Sequence, residues 1–126
     1  MLLHEDLTYK IIGAAMEVHR RLGPGFLESV YEEAFSIELR VSGLNFEAQK
    51  ELRIRYRDGL LVKTFKANYV VESKVIVELK AVKSLSEVDE AQLINYLKVS
   101  GLKVGLLFNF GESSLKYLRR VLEKDQ

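Results

Sequence analysis

The segment VIVELKAV, Val75 to Val82, restricts the fold of this chain more than any other. Five of its eight residues are valine, isoleucine or leucine. Such a run suits a strand buried on both faces, which needs covering layers on either side. Yet Glu78 and Lys80 stand in its middle, two residues apart. Side chains alternate along a strand with period two, so both charges point the same way. One reading is a same-face ion pair on a half-exposed strand, worth a few tenths of a kcal/mol. The other is a built site. A carboxylate can bind a hard divalent cation such as Mg²⁺, and a nearby lysine can position a water and steady charge on a phosphate.

The rest of the chain supplies the layers. DLTYKIIGAAMEVHRRL carries apolar residues at helical spacing, with Asp6 or Thr8 as the expected cap. Gly23-Pro24-Gly25 breaks it, and a second helix is predicted through FLESVYEEAFSIELRVSGL, stopping at Gly43. Alternation then takes over. Leu52, Ile54 and Tyr56 are expected on one strand face and Arg53, Arg55 and Arg57 on the other, with Asp58-Gly59 as a hairpin turn. A second strand is expected over about Phe65 to Val71, and Val75 to Val82 is the third. SLSEVDEAQLINYLKVSG reads as a helix with Ser84 and Glu87 spaced as a capping box and Gly101 as its stop. KVGLLFNF suits a central strand. The tail fits either a helix, on Leu115, Leu118 and Leu122, or a strand, on Leu115, Tyr117 and Val121. The expected order is α-α-β-β-β-α-β plus one element, an α/β (α+β) fold with a mixed central sheet flanked by helices.

Bulk properties narrow the function classes. At 126 residues a single domain is expected over residues 1–126. A net charge of +1 gives no global attraction to nucleic acid or membrane, so an anionic ligand needs a local patch. Without cysteine there are no disulfides and no thiolate metal ligands. No apolar run approaches the ~20 residues of a membrane span, and MLLHEDLTYK lacks the pattern of a secretory signal. A cytoplasmic protein with no membrane partner is the expectation.

Several residues are candidates to join Glu78 and Lys80. Glu28 opens the second helix, where an acid is also favoured by the helix dipole alone. Gln92 and Tyr96 are four apart and share a helix face. Asn68 lies on the strand before Glu78 and can meet it at one end of the sheet. Arg53, Arg55 and Arg57, with Lys66, Lys63 and Lys50, could form a phosphate-positioning stripe, or a solvated edge diluted by Glu47, Glu51 and Asp58. No aromatic residues interleave clearly with these cations, so single-strand recognition is not indicated. His4 and His19 lack a second histidine at metal spacing.

Gly25, Glu28 and Tyr31 reproduce the signature of the GxxExxY protein family. The likeness continues through AAMEVHRRLGPGFLESVYEEAFSIEL, VIVELKAV and AQLINYLKVSGLKVGLLFNFG, nearly the whole chain. The chain thus resembles a branch of the PD-(D/E)XK nuclease-like superfamily, which implies a restriction-endonuclease-like fold and Mg²⁺- or Mn²⁺-dependent phosphodiester hydrolysis. By that resemblance Glu78, assisted by the Leu79 carbonyl, holds metal. Lys80 positions water, Glu28 is the helical glutamate, and Gln92 and Tyr96 orient the site or touch the phosphate backbone. The match departs at one point. The family pattern has arginine-alanine-aspartate where this chain has Lys66-Ala67-Asn68. Asn68 can offer a carbonyl oxygen to metal but no charge, so the cation is expected to be weakly held. The exchange is compatible with a natural non-cleaving relative, with residual metal binding, or with a change made to silence an enzyme. The resemblance implies a nucleic-acid partner and a homodimer, with a non-catalytic binding module as the alternative function.

Overall fold

The computed structural model describes residues 2–123. Its elements run α1 (Glu5–Leu22), α2 (Glu28–Val41), β1 (Phe46–Tyr56), β2 (Gly59–Val71), β3 (Val75–Lys80), α3 (Glu87–Ser100), β4 (Val104–Asn109) and β5 (Lys116–Val121). The five strands form one sheet in chain order. All neighbours are antiparallel except β3 and β4, which pair in parallel and are joined through α3. A parallel pair needs such a crossover, which explains why the two most apolar strands flank a helix in the sequence.

The alternation expected for β3 is what sorts the two cores. Val75, Val77 and Leu79 pack beneath α1 and α2 with Ile11, Ala15, Val18, Tyr31, Phe35 and Leu39. Ile76 packs beneath α3 with Leu93, Tyr96 and Leu97. Each such fully buried aliphatic side chain contributes roughly 2 kcal/mol. Glu78 and Lys80 therefore issue toward the α3 layer. Gly105 on β4 lets α3 come close, since a Cβ there would meet Leu93 Cδ1 at 2.9 Å.

Local signals differ from expectation at several ends. Helix α1 begins at Glu5 behind His4, and neither Asp6 nor Thr8 caps it; the Thr8 hydroxyl instead donates to Glu5 O at 3.1 Å. The capping box of α3 uses Ser86 and Asp89, not Ser84 and Glu87, because the helix starts one half-turn later. Helix α2 ends as expected. Gly43, at φ 75°, donates to Arg40 O while Leu44 N–H donates to Leu39 O, the paired bonds of a Schellman stop. Strand β2 extends further toward the turn than expected, starting at Gly59 rather than about Phe65, β1 ends at Tyr56 before the expected turn but begins at Phe46, and β3 ends at Lys80 rather than Val82. The ambiguous tail is a strand. Pairing Lys116–Val121 with β4 satisfies the second edge of a fully buried strand, which a helix could not do. The Gly-Pro-Gly break is tied down by Tyr31. Its buried hydroxyl donates to Gly23 O at 2.5 Å and accepts from Phe26 N–H at 3.2 Å, and its ring stacks on Phe110 at 4.7 Å.

Candidate active site

The site forms where β2 and β3 part. They pair only through Tyr69, Val70 and Val71 against Val77, Ile76 and Val75. Beyond Val77, β3 continues along β4 as far as Lys80 opposite Asn109, while β2 stays with β1. Asn68 fills the opening. Its N–H donates to Glu78 Oε2 at 2.6 Å, and Leu79 N–H donates to Asn68 Oδ1 at 2.8 Å. Side chains thus take over from the ladder and satisfy two main-chain donors that would be costly unpaired.

Asn68 reaches this place through a break in strand periodicity. Phe65 and Ala67 pack on the α3 side, but Tyr69 and Val71 pack beneath α1 and α2. A strict period of two would keep all four on one face. Strand β1 reverses as well, with Phe46 on the α2 side and Leu52 on the α3 side. Between them Gln49 adopts φ 55°. The register pairs Ala48 with Tyr69 and Lys50 with Ala67, which places Gln49 opposite Asn68. A left-handed non-glycine residue costs on the order of 1 kcal/mol, and here it accompanies the reversal. Asn68 and Tyr69 consequently both reach α2. Asn68 Nδ2 donates to Glu32 Oε2 at 3.1 Å, and the Tyr69 hydroxyl donates to Glu32 O at 2.6 Å.

Three carboxyls, Glu28, Glu32 and Glu78, repel one another around this opening. Glu78 is 8 % exposed. Burial pushes its pKa up to about 8, the Glu28 and Glu32 charges add to the rise, and the Asn68 N–H and Lys80 oppose it. Burial, then Glu28, also raises Glu32. Glu32 was not foreseen, although it lies one helical turn after Glu28 on the same face. Lys80 Nζ stands 3.7 Å from Asp89 Oδ1, a second partner missing from the sequence reading. The other Asp89 oxygen accepts from Ser86 N–H at 3.0 Å, so the cap of α3 also holds the lysine's partner. The chain after Lys80 is clamped from β4. Phe110 N–H donates to Lys80 O, and the buried Asn109 amide binds both Val82 N–H and Val82 O. Gly111 permits this, because a Cβ there would collide with the Ala81–Val82 backbone.

Gln92 and Tyr96 do share a face. Gln92 Nε2 donates to the Tyr96 hydroxyl at 2.9 Å. Tyr96 is buried, stacks on Phe65 at 5.0 Å, and has its phenol pKa raised by burial and next by the Glu78 charge. The arginine stripe is not continuous. The β1–β2 register shifts between Arg53 and Arg55, Arg53 Nε donates to Leu61 O at 2.8 Å, and Arg57 lies in the turn at φ 54°. The bulge also leaves Ile54 and Tyr56 exposed, so of the apolar face expected on β1 only Leu52 is buried. Lys66 is exposed on β2 opposite Glu51.

Among the described residues, no three histidine, cysteine or acidic side chains gather closely enough to hold a metal ion. Asn68 presents its amide N–H₂ to Glu32, while its Oδ1 is engaged by Leu79, so it meets the α2 carboxyl as a donor. The donor set still fits a hard divalent cation in kind. It is all oxygen, and burial and repulsion hold two of its carboxyls toward their neutral forms, the condition that a dication relieves.

A five-stranded mixed sheet flanked by helices, carrying Glu78-Leu79-Lys80 on a central strand, defines the restriction-endonuclease-like class. The family model of the PD-(D/E)XK nuclease superfamily matches residues 5–121, and the chain belongs to that superfamily. Among solved structures, the crystal structure of SSO0001 aligns with TM-score 0.61 at 17 % identity, over 78 % of this chain and 52 % of that one. This chain therefore spans about half the length of that structure. No curated protein matches. Among the described residues no helix is long and apolar enough to cross a membrane.

Proposed function

We propose that this chain is a nuclease-type phosphodiester hydrolase of the GxxExxY branch, dependent on Mg²⁺ or Mn²⁺ and weakened at Asn68. The observation that carries this reading is the set of hydrogen bonds that Asn68 makes between β2 and β3. One residue binds Glu78 through its main chain, Leu79 and Glu32 through its side chain, and so gathers the strand and helix carboxyls around a single opening. Glu78, with Glu32 or Glu28 and the Leu79 carbonyl, would hold the cation. When bound, the cation would supply Lewis-acid polarisation of a phosphate oxygen and a water of lowered pKa. Lys80, tethered by Asp89, would offset negative charge as a water oxygen bonds to phosphorus and one ester P–O bond breaks. Tyr96 and Gln92 would orient that face. Arg55 and Lys66 would contribute to phosphate contacts, with Arg53 and Arg57 at the hairpin. A homodimeric, cytoplasmic protein acting on nucleic acid completes the reading, on the resemblance of the motif.

Asn68→Asp tests it. One carboxylate oxygen can still accept from Leu79 N–H, and the other then faces Glu32 with an added charge that a divalent cation offsets in competition with a proton. Calorimetric titration with Mg²⁺ and Mn²⁺ should show affinity rising by tenfold or more, about 1.4 kcal/mol. Cleavage of plasmid or oligonucleotide should rise in parallel, cease with chelator, and vanish in Asn68→Asp/Glu78→Ala. If Asn68→Asp gains neither affinity nor cleavage on DNA or RNA, the enzyme reading fails and a binding module replaces it.

A further inference from the structure

A groove of about 820 Å³ opens between the β1–β2 hairpin and α3, on the face of the sheet toward which Ile76, Glu78 and Lys80 point. Gln92, Asn95, Tyr96 and Val99 follow one another at i, i+3, i+4 and i+7, so one stripe of α3 faces it. Ile54 and the half-buried Phe65 come from the hairpin. Two cations, Arg55 and Lys98, border it, and among the described residues no carboxylate lines it. Tyr96 links the groove to that face. Its ring stacks on Phe65, and it packs in the α3-side core with Ile76, two residues before Glu78 on the same face of β3. Neither α3 nor the hairpin alone shows this combination, which is why the sequence pattern gave no sign of aromatic groups interleaved with the arginines.

We infer that this groove holds an unpaired nucleotide of a single-stranded DNA or RNA segment that continues into the Glu78 site. The inference rests on the nuclease reading above and adds its substrate class. Four features carry it: apolar surface of Ile54, Val99 and the half-buried Phe65 for a base, amides of Gln92 and Asn95 for its polar edge, two cations for phosphate, and the shared sheet face that leads to Glu78. A base that remains stacked and paired inside a duplex presents neither its face nor its pairing edge to such a pocket, whereas an unpaired base presents both.

The test is fluorescence anisotropy of labelled twelve-nucleotide single-stranded DNA, single-stranded RNA and blunt duplex DNA, in EDTA. Binding is thereby read without metal or cleavage. Asn95→Trp fills the groove from an exposed helical position, and Arg55→Ala/Lys98→Ala removes its cations. The unmodified chain should bind at least one single strand more tightly than the duplex. Asn95→Trp should weaken that binding tenfold or more and leave duplex binding within twofold. The double variant should lower the slope of log K against log salt by roughly 1.4, two phosphates at about 0.7 each. Absence of single-strand binding, equal effects on duplex, or an Asn95→Trp effect below twofold overturns the inference. Cleavage by Asn68→Asp together with such a null result would leave the enzyme reading standing and remove only the groove. Groove binding without cleavage or metal affinity would do the reverse.

Discussion

Replacing Glu78 by glutamine removes one titration and leaves its main packing in place. The glutamine carbonyl can accept from Asn68 N–H as Glu78 Oε2 does now. In the folded protein Glu78 holds its proton up to about pH 8, against an ordinary value of 4.5. The folded state thus binds more protons than the unfolded chain between those limits, and stability falls as pH rises through that window. It is level below the window and level again above it. The full gap corresponds to roughly 5 kcal/mol at 1.36 kcal/mol per pH unit. Between pH 5 and pH 9 at most about 4 kcal/mol is expressed, and water penetration and local rearrangement reduce this to ~2–3 kcal/mol. Urea unfolding of both proteins at pH 5, 6, 7, 8 and 9 measures it. Glu78→Gln should gain on the unmodified chain steadily from pH 5 to pH 8, then hold that gain. Other carboxylates cancel in the difference. Parallel stability profiles would assign Glu78 an ordinary pKa and refute the claim that it is buried against repelling neighbours.

Two further substitutions probe the scaffold of the site. Tyr31→Phe keeps the stacking on Phe110 but leaves Gly23 O and Phe26 N–H without their shared partner, and should cost about 1–3 kcal/mol in denaturant unfolding. Gly111→Ala should destabilise by about 1–3 kcal/mol, because the added methyl enters the Ala81–Val82 backbone; an unchanged midpoint would show that the clamp behind Lys80 has room.

Sequence alone determined the elements whose logic is local. The period of two in Val75–Lys80 placed Glu78 and Lys80 on one face, and that follows from strand geometry whatever surrounds it. The Gly-Pro-Gly break and the Gly43 and Gly101 stops were readable because backbone conformations at those points need glycine or proline. The long motif blocks indicated the superfamily. Tertiary structure decided everything that depends on which backbone groups find partners. It made the tail a strand, since β4 required a second neighbour. It moved the α3 cap to Ser86 and gave the Asp89 carboxylate a second task beside Lys80. It split the arginine stripe with a register shift that alternation cannot reveal. It also brought Glu32 to Asn68, thirty-six residues away in the chain, through a reversal of faces opposite Gln49. Strand period fixes where a side chain points only while the ladder is regular, and this site stands where the ladder breaks.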